Sequence, residues 1–534
     1  MKTVGAVLYE QVRARGDADF VVTEHERLTY SAAEDRSRAI ARGLVAVGVG
    51  KGARVALLHP TGIAFVVSWL AIARIGAVAV PISTFSKADE LCDILARADV
   101  GTLVGTAAYR GNHYVGALDA GCGLDLRAPG PIESLTVPSL RRVHLDGGAS
   151  SGADAVHRDH TLAALVDAGA AIDDDFLTSV ERDVTPAERL VIVHTSGSTS
   201  APKGVIHQHG PLVRHLENLN ALRRLEAGVK LFSNSPMFWI GGIAYNLLGT
   251  LVAGATLLSP VSLETRESLD FLERERPELT NGYAQSIAAL AADPSFASRD
   301  FSSIRSGNLY GIMPDGVRPR DPELRHNMLG TTESGSVCLM DPDESDQPEH
   351  RRGSFGRPVP ELEARIVDPE TLADQPTGEP GELWLRGPLL MEGYYGRERW
   401  TTFTADQWYR TGDWFHRDAD GLFYFLGRRD DMIKTGGANV SPREVEAVLR
   451  DVTGGLQPIV FGVPDAERGA IVAAIVVADD DVSLDTDKVH AALRERLSAY
   501  KVPRRIVRMT PTELPIMSSG KPDMRRIVEV VGGS

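Results

Sequence analysis

The chain has few cysteines, no long apolar run and no surplus of positive charge, and each shortage closes off a class of protein. Cys92, Cys122 and Cys338 are its three cysteines; they are odd in number, far apart and without metal-type pairing. They read as buried or free thiols in a reducing compartment, not as disulfides or a zinc site. The longest apolar stretch, Ile63 to Ala73, contains Ser68 and stops at Arg74. It is too short to span a bilayer and reads as a helix of a domain core. Met1 to Arg15 mixes acidic and basic residues and lacks the apolar centre of a secretion signal, so a cytoplasmic location is expected. A net charge of −15 opposes the dense lysine and arginine faces that nucleic-acid backbones require, so no nucleic-acid partner is expected and any phosphate site must be local. There is no internal repeat.

What is present is an ordinary globular composition, 43% hydrophobic and 24% charged, in a chain long enough for roughly three or four structural units. Ser31 followed by Glu34 has the pattern of a capping box, opening a helix that carries Ile40, Leu44 and Val47 and closes at Gly48 and Gly50. Arg54 to Leu58 reads as a strand, Phe65 to Ile75 as a buried helix and Val78 to Ile82 as a second strand, an alternation that indicates parallel α/β architecture. Residues from about Ala107 to Val180 have weak periodicity and are expected to be variable and partly loop-like. A second α/β stretch runs through Leu190 to Val193, a helix around Gly210 to Leu225 and apolar segments from Leu231 to Leu258. Glu361 to Val367 and Gly381 to Arg386 read as strands of a smaller β-rich unit.

Beyond Gly427 the character changes. Ser441-Pro442-Arg443-Glu444 is a helix start with Ser as cap and Pro at the first helical position. Pro458 to Val463 and Ala470 to Val477 read as strands, and Asp487 to Ala499 carries Val489, Leu493 and Leu497 on one face. The expected organisation is a large N-terminal α/β domain of two subdomains plus a small β-rich unit (1–427), a hinge (428–431) and a small mobile α+β domain (432–534).

The most informative segment is His194-Thr195-Ser196-Gly197-Ser198-Thr199-Ser200-Ala201-Pro202-Lys203-Gly204, which follows the apolar Leu190 to Val193. Five hydroxyls, two glycines and a lysine in eleven residues suit a loop wrapping a polyphosphate, with backbone N–H groups and hydroxyls as donors and the ammonium as a point charge. A Walker loop needs Gly directly before its Lys and Ser or Thr directly after. Lys203 sits between Pro202 and Gly204, which excludes a P-loop ATPase. Further on come Gly330-Thr331-Thr332-Glu333, Gly381-Glu382-Leu383-Trp384-Leu385-Arg386-Gly387-Pro388, Tyr409-Arg410-Thr411-Gly412-Asp413, Gly427-Arg428-Arg429-Asp430-Asp431-Met432-Ile433-Lys434 and Ser519-Gly520-Lys521.

These six motifs, in this order and over essentially the whole chain, resemble the adenylate-forming superfamily of acyl- and aryl-CoA synthetases, luciferases and peptide-synthetase adenylation domains. The resemblance implies an ATP- and Mg²⁺-dependent acyl-CoA synthetase that makes an acyl-AMP, releases pyrophosphate and transfers the acyl group to CoA. It assigns Thr195, Ser196, Gly197, Ser198, Thr199 and Lys203 to the phosphates, Gly330 and Thr331 to the nucleotide, Thr332 to the α-phosphate and Glu333 to Mg²⁺. Physics agrees, since Mg²⁺ takes one or two carboxylates together with substrate phosphate oxygens. Asp413 is implied as the ribose carboxylate, Arg428 as its neighbour at the ribose and phosphates, Asp430 as the hinge and Lys521 as the lysine bridging substrate carboxylate and α-phosphate. Lys434, Gly436 and Gly437 are implied to line the CoA tunnel once the C-terminal domain rotates, a rotation that withdraws Lys521.

Three departures bear on specificity. Ser200 stands where a glycine is usual. Leu329 stands where most members have a tyrosine stacking on adenine, which makes the adenine wall aliphatic. Trp239, in Pro236-Met237-Phe238-Trp239-Ile240-Gly241-Gly242, stands at a position commonly His. With Phe238, Gly241 and Tyr245, and with Tyr283 and Tyr310 expected nearby, it suggests an apolar acyl pocket with aromatic walls. No lone Asp or Lys can be assigned to an amino-acid ammonium, so the expected acid is bulky alicyclic, terpenoid-like or aryl, with a medium or long fatty acid second. Only 13 residues follow Lys521 and no carrier module is evident, which favours free CoA over a stand-alone ligase loading a carrier protein. A non-catalytic descendant is opposed by the presence of Lys521, and nothing speaks for a luciferase-like oxygenase. The expected partners are a small carboxylic acid, ATP and CoA, with a carrier protein and a second copy of the chain as further candidates.

Overall fold

The computed structural model describes residues 1–147, 155–195, 202–262, 264–283, 287–428, 433–435, 438–440, 442–465, 468–479, 482, 484–497, 501–517 and 521–532, with 434, 438 and 439 as backbone. Two α/β layers form its first part. A seven-stranded sheet has the spatial order Gly393–Tyr394, Lys203–Gln208, Arg189–Thr195, Val78–Pro81, Arg54–Leu58, Thr102–Thr106, Arg142–Asp146. Its inner pairs are parallel, as the strand and helix alternation requires, and only Lys203–Gln208 runs antiparallel to its two neighbours. A six-stranded sheet, Ser306–Gly307, Leu279–Asn281, Lys230–Ser233, Thr256–Leu258, Asp19–Val22, Arg27–Thr29, is parallel but for its last strand.

The helix Ile63–Arg74, buried over nearly its whole length, packs on the helix Tyr30–Ala46 and on the strands Arg54–Leu58 and Val78–Pro81. Burying Phe65, Trp69, Leu70 and Ile72 stabilises the fold by about 1.5–3 kcal/mol each. The helix carries one charge inward, and that charge is matched: Arg74 donates to Glu34 at 2.5 Å and to Glu181 at 2.7 Å. No helix among the described residues is long and apolar enough to cross a membrane.

Three expectations are corrected. The helix Tyr30–Ala46 is capped by Thr29, whose side chain accepts from the N–H of Ala32, so Ser31 lies inside the first turn. The stretch around 107–180 holds the helices Tyr114–Cys122, Leu162–Ala168 and Asp174–Arg182 and the edge strand Arg142–Asp146, because tertiary packing supplies the order that its weak periodicity does not. Cys92 and Cys122 are joined in a disulfide, with Cα atoms 5.6 Å apart. Their separation of 30 residues hid this, since the packing of helix Ala88–Arg97 on helix Tyr114–Cys122 brings them together, with Gly121 against the Ala88 carbonyl. Cys338 is free and buried, as expected.

A four-stranded antiparallel sheet, Glu363–Val367, Gly381–Arg386, Tyr409–Arg417, Phe423–Arg428, forms the small β-rich unit. The last part of the chain builds a five-stranded sheet from Ile433–Thr435, Ala438–Val440, Gln457–Asp465, Gly469–Val477 and Arg505–Met509, with helices Pro442–Val452, Thr486–Arg496 and Met524–Gly532. It has cores of its own on the two faces of that sheet, around Val445, Leu449 and Leu493 and around Phe461, Ile475 and Ile527. It touches the β-rich unit where the Arg443 guanidinium lies 4.4 Å from the centre of the Phe425 ring.

Candidate active site

Lys203 opens the strand Lys203–Gln208, opposite Thr195 at the end of the preceding strand, so the two residues stand at the mouth of the hydroxyl-rich loop. Ser196, Gly197, Ser198, Thr199 and Ser200 lie outside the described residues. The Lys203 ammonium sits 5.1 Å from the centre of the Tyr394 ring.

Glu333 lies on the turn between the strands Leu329–Thr331 and Ser336–Met340. The turn is tightly bound. Thr331 and Ser334 exchange bonds between side chain and backbone, and the Ser334 hydroxyl also reaches the Ser336 carbonyl at 2.6 Å. Gly335, at φ +73°, closes it; a Cβ there would meet Leu212 at 2.9 Å and His207 at 3.2 Å. His207 Nε2–H donates to the Thr332 carbonyl at 2.7 Å, and burial lowers this histidine to about 4, so it is neutral. The Glu333 carboxylate accepts from the Tyr394 hydroxyl at 2.8 Å, and its carbonyl accepts from the N–H of Met391 at 2.9 Å. Gly330, Thr331 and Thr332 are thus on one short hairpin with Glu333, which faces the strand of Lys203 through Tyr394.

Asp413 is buried at 3% exposure and faces Arg428 across the ladder, Oδ1 to Nε 3.0 Å. Glu382, in the preceding strand, accepts from the N–H of Gly412 at 3.0 Å, and the Thr411 hydroxyl accepts from the N–H of Asp413 at 3.0 Å. These bonds hold the left-handed turn at Gly412, φ +73°, that aims Asp413. Leu329 is half-buried against the main core, and its carbonyl accepts from the Cys338 thiol at 3.4 Å. Burial pushes that thiol up to about 12, with the Asp413 charge as a further cause.

Four aromatic rings run edge to face past the expected acyl pocket. Phe85 and Phe238 have centroids 5.8 Å apart, Phe238 and Trp239 5.5 Å, and Trp239 and Tyr283 5.6 Å. A Cβ at Gly241 would meet nothing within 4 Å. Gly241–Leu248 is a π-helix, a form frequent at functional sites, and it carries the buried Tyr245, whose hydroxyl lies 3.6 Å from Met328 Sδ. Tyr310 is half-buried and packs with the cluster of Phe271, Ile304 and Ile312.

The remaining candidates are on the C-terminal unit. Lys521 is exposed on the loop before helix Met524–Gly532, where its carbonyl accepts from the N–H of Met517 at 2.8 Å. Lys434 pairs with Asn439 in a short hairpin; Gly436, Gly437, Asp430 and Ser441 lie outside the described residues. The sequence carries no sign of the parts played by Tyr394, His207 and Phe85, and Tyr409 enters it only as the first residue of the motif Tyr409 to Asp413. Phenols that act on other side chains leave no spacing signal.

The model of the AMP-binding enzyme family matches residues 8–395, and that of the AMP-binding enzyme C-terminal domain matches residues 444–521. The chain belongs to the AMP-binding enzymes. A feruloyl-CoA synthase of Amycolatopsis sp. is 30% identical to this AMP-binding enzyme over 529 residues, covering 98% of each chain. The mitochondrial medium-chain acyl-CoA ligase ACSF2 of Bos taurus is 29% identical over 543 residues, covering 97% of this chain and 86% of its own. Among solved structures, ATP-bound MatB from Rhodopseudomonas palustris superposes with a TM-score of 0.81 at 24% identity, covering 99% of both chains. The anthranilate CoA ligase AuaEII with anthranoyl-AMP does so at 0.78 and 23%, covering 99% of this chain and 97% of its own. This AMP-binding enzyme is an acyl- or aryl-CoA ligase that works through an acyl-AMP and uses ATP, Mg²⁺ and CoA.

Proposed function

We propose that the acid is hydrophobic and bulky, alicyclic, terpenoid-like or aryl, and that the acceptor is free CoA, in the cytoplasm. The observation that carries this reading is the run of rings from Phe85 through Phe238 and Trp239 to Tyr283, beside open space at Gly241. Such walls favour flat or globular apolar groups, because offset and edge-to-face contacts add to area burial. The name of the feruloyl-CoA synthase relative supports an aryl acid, and that of the ACSF2 relatives supports a medium-chain fatty acid as the second reading.

Two anions must meet when a carboxylate attacks the α-phosphorus, so the site must neutralise charge. In our reading Thr195, Lys203 and the loop between them hold the β- and γ-phosphates, and Thr332 offers its hydroxyl to the α-phosphate. Asp413 accepts from the ribose hydroxyls with Arg428 alongside, and Leu329 walls the adenine. Glu333 is a half-buried carboxylate with one oxygen on Tyr394 and the other without a protein donor among the described residues, which fits a Mg²⁺ ligand. Mg²⁺, when bound, supplies charge neutralisation at the phosphate oxygens. Lys521 bridges carboxylate and α-phosphate in the first half-reaction. The domain 432–534 then turns about the hinge 428–431, with Asp430 at its centre, to bring Lys434, Gly436 and Gly437 to the CoA channel. The domain 1–427 stays fixed and holds the ATP and acyl sites.

The test is a carboxylic-acid panel with ATP and Mg²⁺, reading pyrophosphate release with and without CoA and detecting the thioester by mass. Thioester formation fastest with aryl or alicyclic acids is expected. Preference for straight-chain acids moves the assignment to the second reading, and pyrophosphate without any CoA thioester moves the acceptor to a carrier protein.

A further inference from the structure

Lys203 and Glu333 carry opposite charges in one site, and a direct ion pair would quench both before the nucleotide arrives. Among the described residues they form no such pair, and each instead contacts Tyr394. Tyr394 stands between them, with the ammonium 5.1 Å from its ring centre and its hydroxyl donating to Glu333 Oε1 at 2.8 Å. The ring is held from several sides. Its backbone pairs with Val205, two residues along from Lys203, and the N–H groups of Glu392 and Tyr395 donate to the carbonyls of Ile206 and Gly204 at 2.9 and 2.7 Å. Three residues before it, Met391 pins the Glu333 carbonyl. One short segment thus ties the lysine strand to the glutamate turn, and Tyr394 is its side chain that reaches both charges.

The hydroxyl has a fixed direction. The Glu333 carboxylate has no proton to give, so at this contact the Tyr394 hydroxyl is the donor. The hydroxyl of the buried Tyr409 lies 3.5 Å from it, so that Tyr409, Tyr394 and Glu333 form a chain of polar contacts. Such a chain polarises each bond in the same sense.

We propose that Tyr394 is a positioning residue that keeps Glu333 and Lys203 apart and oriented, leaving one free for metal and the other for phosphate. The inference rests on the roles proposed above for these two residues. Without the hydroxyl, Glu333 is released to turn toward the ammonium, and the nucleotide must then break that pair. The ring alone keeps its place over Lys203.

The experiment uses the full-length protein, Mg²⁺ and ATP, and measures ATP binding by calorimetry across a Mg²⁺ titration, with no acid present. Tyr394→Phe is expected to raise both the Kd for ATP and the Mg²⁺ concentration at half effect by about tenfold, the worth of one hydrogen bond to a charged group. Its unfolding midpoint is expected to stay within a few degrees of the wild type. Glu333→Gln is measured alone and combined with Tyr394→Phe. In the Glu333→Gln background the Tyr394→Phe effect is expected to vanish, because it acts through that carboxylate. Equal effects of Tyr394→Phe in both backgrounds, or no shift beyond twofold in the wild-type background, overturn the inference. A Glu333→Gln protein with unchanged Mg²⁺ dependence overturns the underlying metal assignment instead, so the two failures are distinct.

Discussion

His207 donates its Nε2–H to the carbonyl of Thr332 across 2.7 Å, joining the strand that begins at Lys203 to the turn that carries Glu333. His207 and Lys203 are four residues apart on one strand and so share a face. The strand therefore presents Lys203 at one end and braces the Glu333 hairpin at the other. His207→Leu leaves the Thr332 carbonyl without its partner and is expected to cost about 1–3 kcal/mol of stability. It is also expected to raise KM for MgATP with a smaller change in kcat. His207→Gln, which keeps a donor, is expected to recover most of both, measured by denaturant unfolding and by pyrophosphate release.

Acid sensitivity follows from the buried histidines. His144, His194, His207, His209 and His215 are each lowered to about 4 by burial. Above an ordinary histidine value both folded and unfolded chains carry them neutral, and nothing is lost. Between about 6.5 and about 4 only the unfolded chain takes up the proton, so stability falls as pH falls, by up to about 1.4 kcal/mol per pH unit for each histidine. The unfolding midpoint is expected to be flat from pH 8 to 7 and to drop steeply from pH 6 to 5. A midpoint unchanged down to pH 5 contradicts this.

The proposed ribose carboxylate can be read by its substrate discrimination. Asp413→Ala is expected to raise KM for ATP by about tenfold or more, and to abolish the preference of the enzyme for ATP over 2′,3′-dideoxy-ATP. Arg428→Ala also frees Asp413 from its 3.0 Å partner, and is expected to weaken ATP binding while keeping that preference.

In the proposed mechanism Lys521 serves only the first half-reaction. Lys521→Ala is expected to slow adenylate formation by on the order of a hundredfold or more and to leave thioester formation from supplied acyl-adenylate nearly intact. Equal loss in both half-reactions with unchanged folding withdraws the assignment.

Trp239 lies between the rings of Phe238 and Tyr283, so its truncation would enlarge the proposed acyl pocket. Trp239→Ala is expected to shift relative kcat/KM toward longer or larger acids by about ten- to two-hundredfold, with KM for ATP unchanged. An acid spectrum identical to that of the wild type excludes Trp239 from the pocket wall.

The family was legible in the sequence because its chemistry is local. A hydroxyl-rich loop ending in Lys203, the run Gly330 to Glu333 and the run Arg410 to Asp413 each need only neighbouring residues to present their donors and acceptors, so spacing records them. The alternation of strand and helix from Arg54 to Ile82 is likewise a local periodicity, and it appears as a parallel sheet with the buried helix Ile63–Arg74 packed on it. What the sequence left open depends on residues distant along the chain. Cys92 meets Cys122 only because two helices pack at Gly121, and Thr29 caps its helix where the Ser31 pattern competed. Tyr394 meets both Lys203 and Glu333 only because a two-residue strand joins the edge of a sheet assembled from the first half of the chain. The sequence by its spacing names the charged groups of the proposed site, and tertiary structure decided which neutral side chain lies against both Lys203 and Glu333. That decision is made by backbone pairing across nearly two hundred residues, for which no periodicity exists to be read.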